Sequence, residues 1–141
     1  MIVENVKDIK PSVAHDQLIV RTLLKGKLEE FHGLWYGILK PKAHTAEHTH
    51  PYEEFYFILS GSGIMTVGNE RQGVNRLDII AIPGSANHGL VNNSEDDITY
   101  LCVAAPPTIE DRDLFKRGKG FMPDPDYKRI VDEGRIDTTV R

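Results

Sequence analysis

The chain has 141 residues, enough for one domain around one core. Hydrophobic residues make up 40% and charged residues 27%, an ordinary balance for a soluble globular protein. The net charge of −4, with no long run of one sign, argues against a nucleic-acid binder, which would cluster Lys and Arg. Met1-Ile2-Val3-Glu4-Asn5 lacks the basic start and apolar core of a secretory signal. No apolar run approaches the length of a membrane span, so the expectation is a cytoplasmic protein without membrane contact.

In chain order, residues 1–30 read as an N-terminal arm with one or two strands. Its apolar pieces Ile19-Val20 and Leu23-Leu24 are broken by Pro11 and Gly26. Residues 31–105 read as strand, turn, strand throughout. Leu34 to Leu39 ends at Pro41, and Glu54 to Leu59 ends at Ser60-Gly61-Ser62-Gly63. Ile64 to Val67 turns at Gly68-Asn69, Leu77 to Ile82 ends at Pro83-Gly84, and Gly89 to Val91 ends at Asn92-Asn93-Ser94. Ile98 to Ala104 is closed by Pro106-Pro107. β-Branched and aromatic residues dominate these runs, as pleated surfaces favour, and many short strands at this spacing imply a sandwich or barrel. Residues 106–141 read as a tail with short helices packed on the barrel or on a partner subunit. One carries Leu114-Phe115; another, from about Pro125 to Glu133, puts Tyr127, Ile130 and Val131 on one face. Cys102, the single cysteine, lies in an apolar run and reads as a buried small hydrophobe.

The chemistry concentrates in His44-Thr45-Ala46-Glu47-His48-Thr49-His50-Pro51-Tyr52-Glu53-Glu54. His48 and His50 are two apart, so on a strand both rings leave the same face, and Glu54 lies at a further even offset. Imidazole nitrogens with a carboxylate suit a borderline divalent metal such as Fe, Mn, Ni, Cu or Zn. A lone His-x-His is weak evidence in a chain with six histidines.

The wider pattern is stronger. His48, His50, Glu54 and Gly61 resemble the first signature of the cupin superfamily, and Pro83, His88 and Asn92 match the second. The resemblance covers roughly residues 31–105. It implies an all-β fold, a double-stranded β-helix or jelly roll, with His48, His50, Glu54 and His88 pointing into the barrel mouth and holding one divalent metal per chain. Three glycines of the pattern are replaced, by Lys42, Leu77 and Ser85, which questions local backbone shape more than metal binding. Tyr56 shares parity with Glu54 and is the candidate catalytic residue, orienting a substrate or donating a proton. The competing reading is a barrel-filling aromatic with a satisfied hydroxyl. His44 reads as a loop residue, Glu53 faces away by parity, Trp35 and Tyr36 read as core packing, and His15 and His32 read as surface residues. Asp78 reads as a turn residue.

Three imidazoles and a carboxylate leave coordination positions open, the mark of catalytic rather than structural sites. The expected function is therefore a metal-dependent enzyme acting on a small oxygenated substrate: a carboxylate, keto acid or sugar derivative. Cupins include dioxygenases, decarboxylases, lyases and isomerases, and fold analogy alone selects none of them. The alternative is a non-enzymatic small-ligand-binding or sensor module with a structural or vestigial metal site. The apolar outer face of Phe55 and Phe57 predicts a homodimer.

Overall fold

Runs of alternating apolar and polar residues, cut by Gly, Pro and Asn, pair into two antiparallel sheets. The computed structural model describes residues 1–28 and 33–105. A short 3-10 turn, Val6–Asp8, precedes the strands. Among the described residues the strands are β1 (Ser12–Ala14), β2 (Leu18–Thr22), β3 (Leu34–Leu39), β4 (Glu53–Ser60), β5 (Ser62–Val67), β6 (Glu70–Asn75), β7 (Ile79–Ile82), β8 (His88–Val91) and β9 (Ile98–Ala105). One sheet has the order β1-β2-β3-β9-β4-β7 and the other β6-β5-β8. The protein is all-β, as the strand pattern predicts, and its two sheets form the jelly roll that the resemblance implies. The helices expected after residue 105, and His32, lie outside the described residues.

The two apolar segments of residues 1–28 have different fates. Ile19-Val20 lies in β2, which pairs with β3 within the larger sheet. Leu23-Leu24 enters a turn instead, where Leu24 holds a φ of 51°.

Strand alternation decides which side chains meet inside the barrel. On β4, Glu54, Tyr56 and Ile58 are buried while Glu53 and Phe55 are exposed. The register sets Glu54 beside Ile82 and Ala104, and Tyr56 beside Ile80 and Cys102. Below the site, Ile58, Leu39, Leu90 and Ile98 are fully buried. Each such side chain contributes about 1.5–3 kcal/mol relative to exposure. Trp35 belongs to this core, as expected.

The turns keep the backbone that the replaced glycines would have supplied. Lys42, Leu77 and Ser85 hold φ values of 65°, 73° and 65°. Gly61, between β4 and β5, is irreplaceable on two counts. Its φ is +83°, and a Cβ there would sit 2.3 Å from the Asp97 carbonyl oxygen. Asn92 is fully buried. Its amide donates to the carbonyls of Leu39 and Asp96, and its Oδ1 accepts from Ser94, so it organises the β8–β9 turn. Asp78 plays the same part between β6 and β7, accepting from the Asn75 N–H at 2.7 Å.

Candidate metal centre

Three pieces of backbone build the site. The segment before β4 runs beside β8: His48 and His88 form an antiparallel bridge and exchange two backbone hydrogen bonds of 3.1 and 3.0 Å. This pairing sets the two imidazoles side by side, with ring centroids 4.2 Å apart. His50 follows two residues on, its ring 4.8 Å from that of His88. Glu54 enters from the inward face of β4. One ligand-competent atom from each of His48, His50, Glu54 and His88 lies within 4.8 Å of all the others. The sequence-derived quartet is therefore one cluster, and none of its members is more than 9% exposed.

Hydrogen bonds orient the rings. Nδ1 of His48 donates to the Ala46 carbonyl at 2.8 Å, Nδ1 of His88 to the Ala86 carbonyl at 2.8 Å, and Nδ1 of His50 to the Tyr52 carbonyl at 3.2 Å. A carbonyl only accepts, so each Nδ1 carries the proton, and in a neutral imidazole each Nε2 then presents a lone pair. This outer-shell arrangement is typical of metal-ligating histidines. Glu54 Oε1 lies 2.9 Å from Nε2 of His50 and 2.7 Å from Nε2 of His88. Lone pairs facing an anionic oxygen at such distances require positive charge between them, supplied by extra protons or by one divalent cation. Ligands bound about 2.0–2.2 Å from one ion at right angles stand about 3 Å apart, so the donor set fits such an ion in spacing and in chemistry.

Charge and burial support the same arrangement. Burial pulls the His48 pKa down to about 4, helped by the neighbouring His88, so its ring is neutral near pH 7. Burial alone would raise the Glu54 pKa, but in the proton-supplied form, with Nε2 of His50 and His88 also protonated, their hydrogen bonds outweigh it and hold the carboxyl well below the usual carboxylate range. Its second oxygen accepts from the Cys102 thiol at 3.1 Å. Burial and the Glu54 charge push that thiol well above its ordinary pKa, so it stays a neutral donor. Cys102 is thus buried, as expected, and also holds a member of the quartet.

Tyr56 is buried, with its ring 6.3 Å from that of His88 and 4.7 Å from that of Tyr100. Burial, then the Glu54 charge, raise its pKa well above that of free tyrosine. Glu53 faces out. His44 is half exposed, its Nε2 3.4 Å from an Asp16 carboxylate oxygen, and it is not part of the cluster. His15 departs from its expected place on the surface. It is 7% exposed and lies flat on His48, with centroids 3.6 Å apart and planes 6° from parallel. No spacing rule reaches it, because the β1–β2 hairpin brings it in from far along the chain. A cavity of about 650 Å³ lines the seam between β6 and β7, with Met65, Val74, Ile80 and Ala86 among its walls. It meets the site only indirectly, through Ala86, whose carbonyl orients His88.

Known proteins resemble this chain in fold and sequence. A family model described as the cupin domain matches residues 35–104. An uncharacterised protein of Methanocaldococcus jannaschii is 33% identical over 112 residues, spanning 77% of this chain and 90% of that protein. The polyketide cyclase RemF of Streptomyces resistomycificus superposes with a TM-score of 0.67 at 19% identity, over 84% of this chain and 97% of that one. A predicted oxalate decarboxylase of Thermotoga maritima superposes with a TM-score of 0.65 at 18% identity, over 73% of this chain and 97% of that one. At these identities the structural likenesses speak for the fold alone. The matched family model, with the two-sheet jelly roll beside it, shows that the chain belongs to the cupin superfamily.

Proposed function

We propose that this cupin is a metal-dependent enzyme acting on a small oxygenated substrate, a carboxylate, keto acid or sugar derivative. His48, His50, Glu54 and His88 hold the ion, which is Fe, Mn, Ni, Cu or Zn. The carrying observation is the pair of short Nε2-to-Oε1 approaches at Glu54, made while all three Nδ1 atoms are committed to backbone carbonyls. Four protein ligands leave positions open on a six-coordinate ion. Such an ion supplies a Lewis acid for a carbonyl or enediol oxygen.

The chain's own residues do the rest. Glu54 supplies the negative charge of the site. Cys102 holds the carboxylate's second oxygen and so fixes which oxygen faces the histidines. Tyr56, its phenol kept protonated by burial, donates a hydrogen bond to a bound substrate oxygen rather than acting as a base. The barrel wall of Ile58, Ile82 and Tyr100 excludes water. The protein works as a homodimer joined through the outer face of β4, β7 and β9.

A second reading, a small-ligand-binding module with a structural metal, draws on the tight enclosure of the quartet, at 0–9% exposure. One experiment separates the two. Metal-loaded protein is incubated with a panel of small carboxylates, keto acids and sugar derivatives. The enzyme reading expects a product that disappears after chelation and in His50→Ala. A ligand retained tightly and recovered unchanged would establish the binding module instead.

A further inference from the structure

The turn between β1 and β2 is built against the segment that carries His48. His15 and Asp16 hold φ values of 45° and 76°, successive left-handed residues without a glycine. Such conformations persist only where the surroundings over-determine them, and they cluster at functional sites. Here the surroundings are the residues just before His48. The Ala46 N–H donates to the His15 carbonyl at 2.8 Å. The His44 N–H donates to Gln17 Oε1 at 2.9 Å. Asp16 bridges Thr45, and its carboxylate lies 3.4 Å from His44 Nε2. The strained turn therefore grips residues 44–46 at successive positions.

What this grip delivers is the His15 ring. It covers one whole face of His48, at 3.6 Å and 6°. His88 stands at the same ring, tilted by 59° with its centroid 4.2 Å away. His15 contributes no atom to the ligand cluster, so it does not act as a ligand. The Ala46 residue that accepts from His48 Nδ1 through its carbonyl also donates to His15 through its N–H. One peptide neighbourhood thus ties the His15 turn to the hydrogen bond that fixes the His48 tautomer.

We propose that His15 is a positioning residue that clamps the His48 imidazole, keeping Nδ1–H on the Ala46 carbonyl and Nε2 turned into the quartet. The part of this proposal that concerns metal affinity rests on the reading of the quartet as a metal site; the part that concerns the tautomer does not.

The test uses the full chain as wild type, His15→Ala and His15→Phe, the last keeping a flat ring without nitrogens. In metal-free protein labelled with 15N-histidine, NMR reads the His48 ring nitrogens. Wild type and His15→Phe are expected to show a single Nδ1–H tautomer, and His15→Ala an averaged one. Zinc titration is expected to show roughly tenfold to hundredfold weaker binding in His15→Ala, with most of the affinity restored in His15→Phe. A single tautomer and unchanged zinc affinity in His15→Ala would overturn the proposal. So would a folded His15→Phe as impaired as His15→Ala, because the stack would then not be the cause. Wild-type protein that binds no zinc would sink the metal reading of the quartet, while the tautomer measurement still decides the role of His15.

Discussion

At the scale of the residue, the site is a set of constraints on single atoms. Each histidine of the quartet has its Nδ1 committed to a carbonyl two residues away, at 46, 52 or 86. Glu54 is held at both oxygens, by two imidazoles on one side and by Cys102 on the other. Cys102→Ala leaves that second oxygen buried without its donor, and a buried unsatisfied acceptor costs about 1–3 kcal/mol. Denaturant unfolding is expected to show a loss of that size; an unchanged midpoint would mean that the thiol contact carries no energy. Acid should act through His48. Its folded pKa of about 4 lies below the ordinary value of about 6.5, so as pH falls the unfolded chain takes up the proton first. Stability is therefore lost between about pH 6.5 and 4. The depressed Glu54 carboxyl adds a loss of the same sign at still lower pH. Chelated protein should be less stable at pH 5 than at pH 7 by roughly 2 kcal/mol, and a flat profile would contradict the burial argument. Even offsets suggested His48, His50 and Glu54 as one face, and the full quartet with His88 was legible only through the resemblance to the two cupin signatures. His15 and Cys102 were not legible as its supports. Their contacts arise from the β1–β2 hairpin and from the β4–β9 register, neither of which leaves a local spacing signal.

At the scale of the element, the strands that alternate were readable and the one that does not was missed. β6 reads Glu-Arg-Gln-Gly-Val-Asn, and only Val74 is buried. With no apolar periodicity to detect, the sequence suggests only the turn at Gly68-Asn69 before it. The pairing of β6 with β5 is imposed by the hairpin itself. Turns show a second way in which sequence underdetermines backbone. Lys42, Leu77 and Ser85 keep left-handed geometry without glycine, and the N–H groups of Leu77 and Ser85 are tied to the distant carbonyls of Ile58 and His50. An L-residue in that region costs about 1–2 kcal/mol, and glycine gives back about 0.4–1 kcal/mol through the entropy of the unfolded chain. Leu77 is 58% exposed, so little packing is lost on truncation. Leu77→Gly is accordingly expected to stabilise the protein by about 0.5–1 kcal/mol, seen as a higher denaturation midpoint; destabilisation would mean that the leucine side chain makes a contact of its own. Gly61→Ala should do the opposite, costing more than about 2 kcal/mol, since it combines a positive φ with a clash against the Asp97 carbonyl.

At the scale of the molecule, the fold separates two faces of the same strands. The inward face of β4 carries Glu54 and Tyr56. The outward face carries Phe55, 40% exposed, beside Ile79, 67% exposed, with Phe57, Leu101 and Val103 half-buried among them. A standard interface buries about 800 Å² on each partner around an apolar centre, and this face supplies such a centre. Light scattering should report a dimer for the wild type and a monomer for Phe55→Lys, with the metal content of both unchanged because the substitution lies opposite the site. A monomeric wild type would remove the dimer from the account. The cupin architecture was legible because two separated stretches, at residues 48–61 and 83–92, resemble the two signatures of the cupin superfamily. The reaction was not, since the same ligand types serve several chemistries. The central claim, that these four side chains hold one divalent ion, is tested most directly by elemental analysis of natively purified protein alongside His50→Ala and His88→Ala. About one transition-metal ion per wild-type chain is expected, and none in either variant. Folded wild-type protein that carries no metal and takes up none on titration would contradict it.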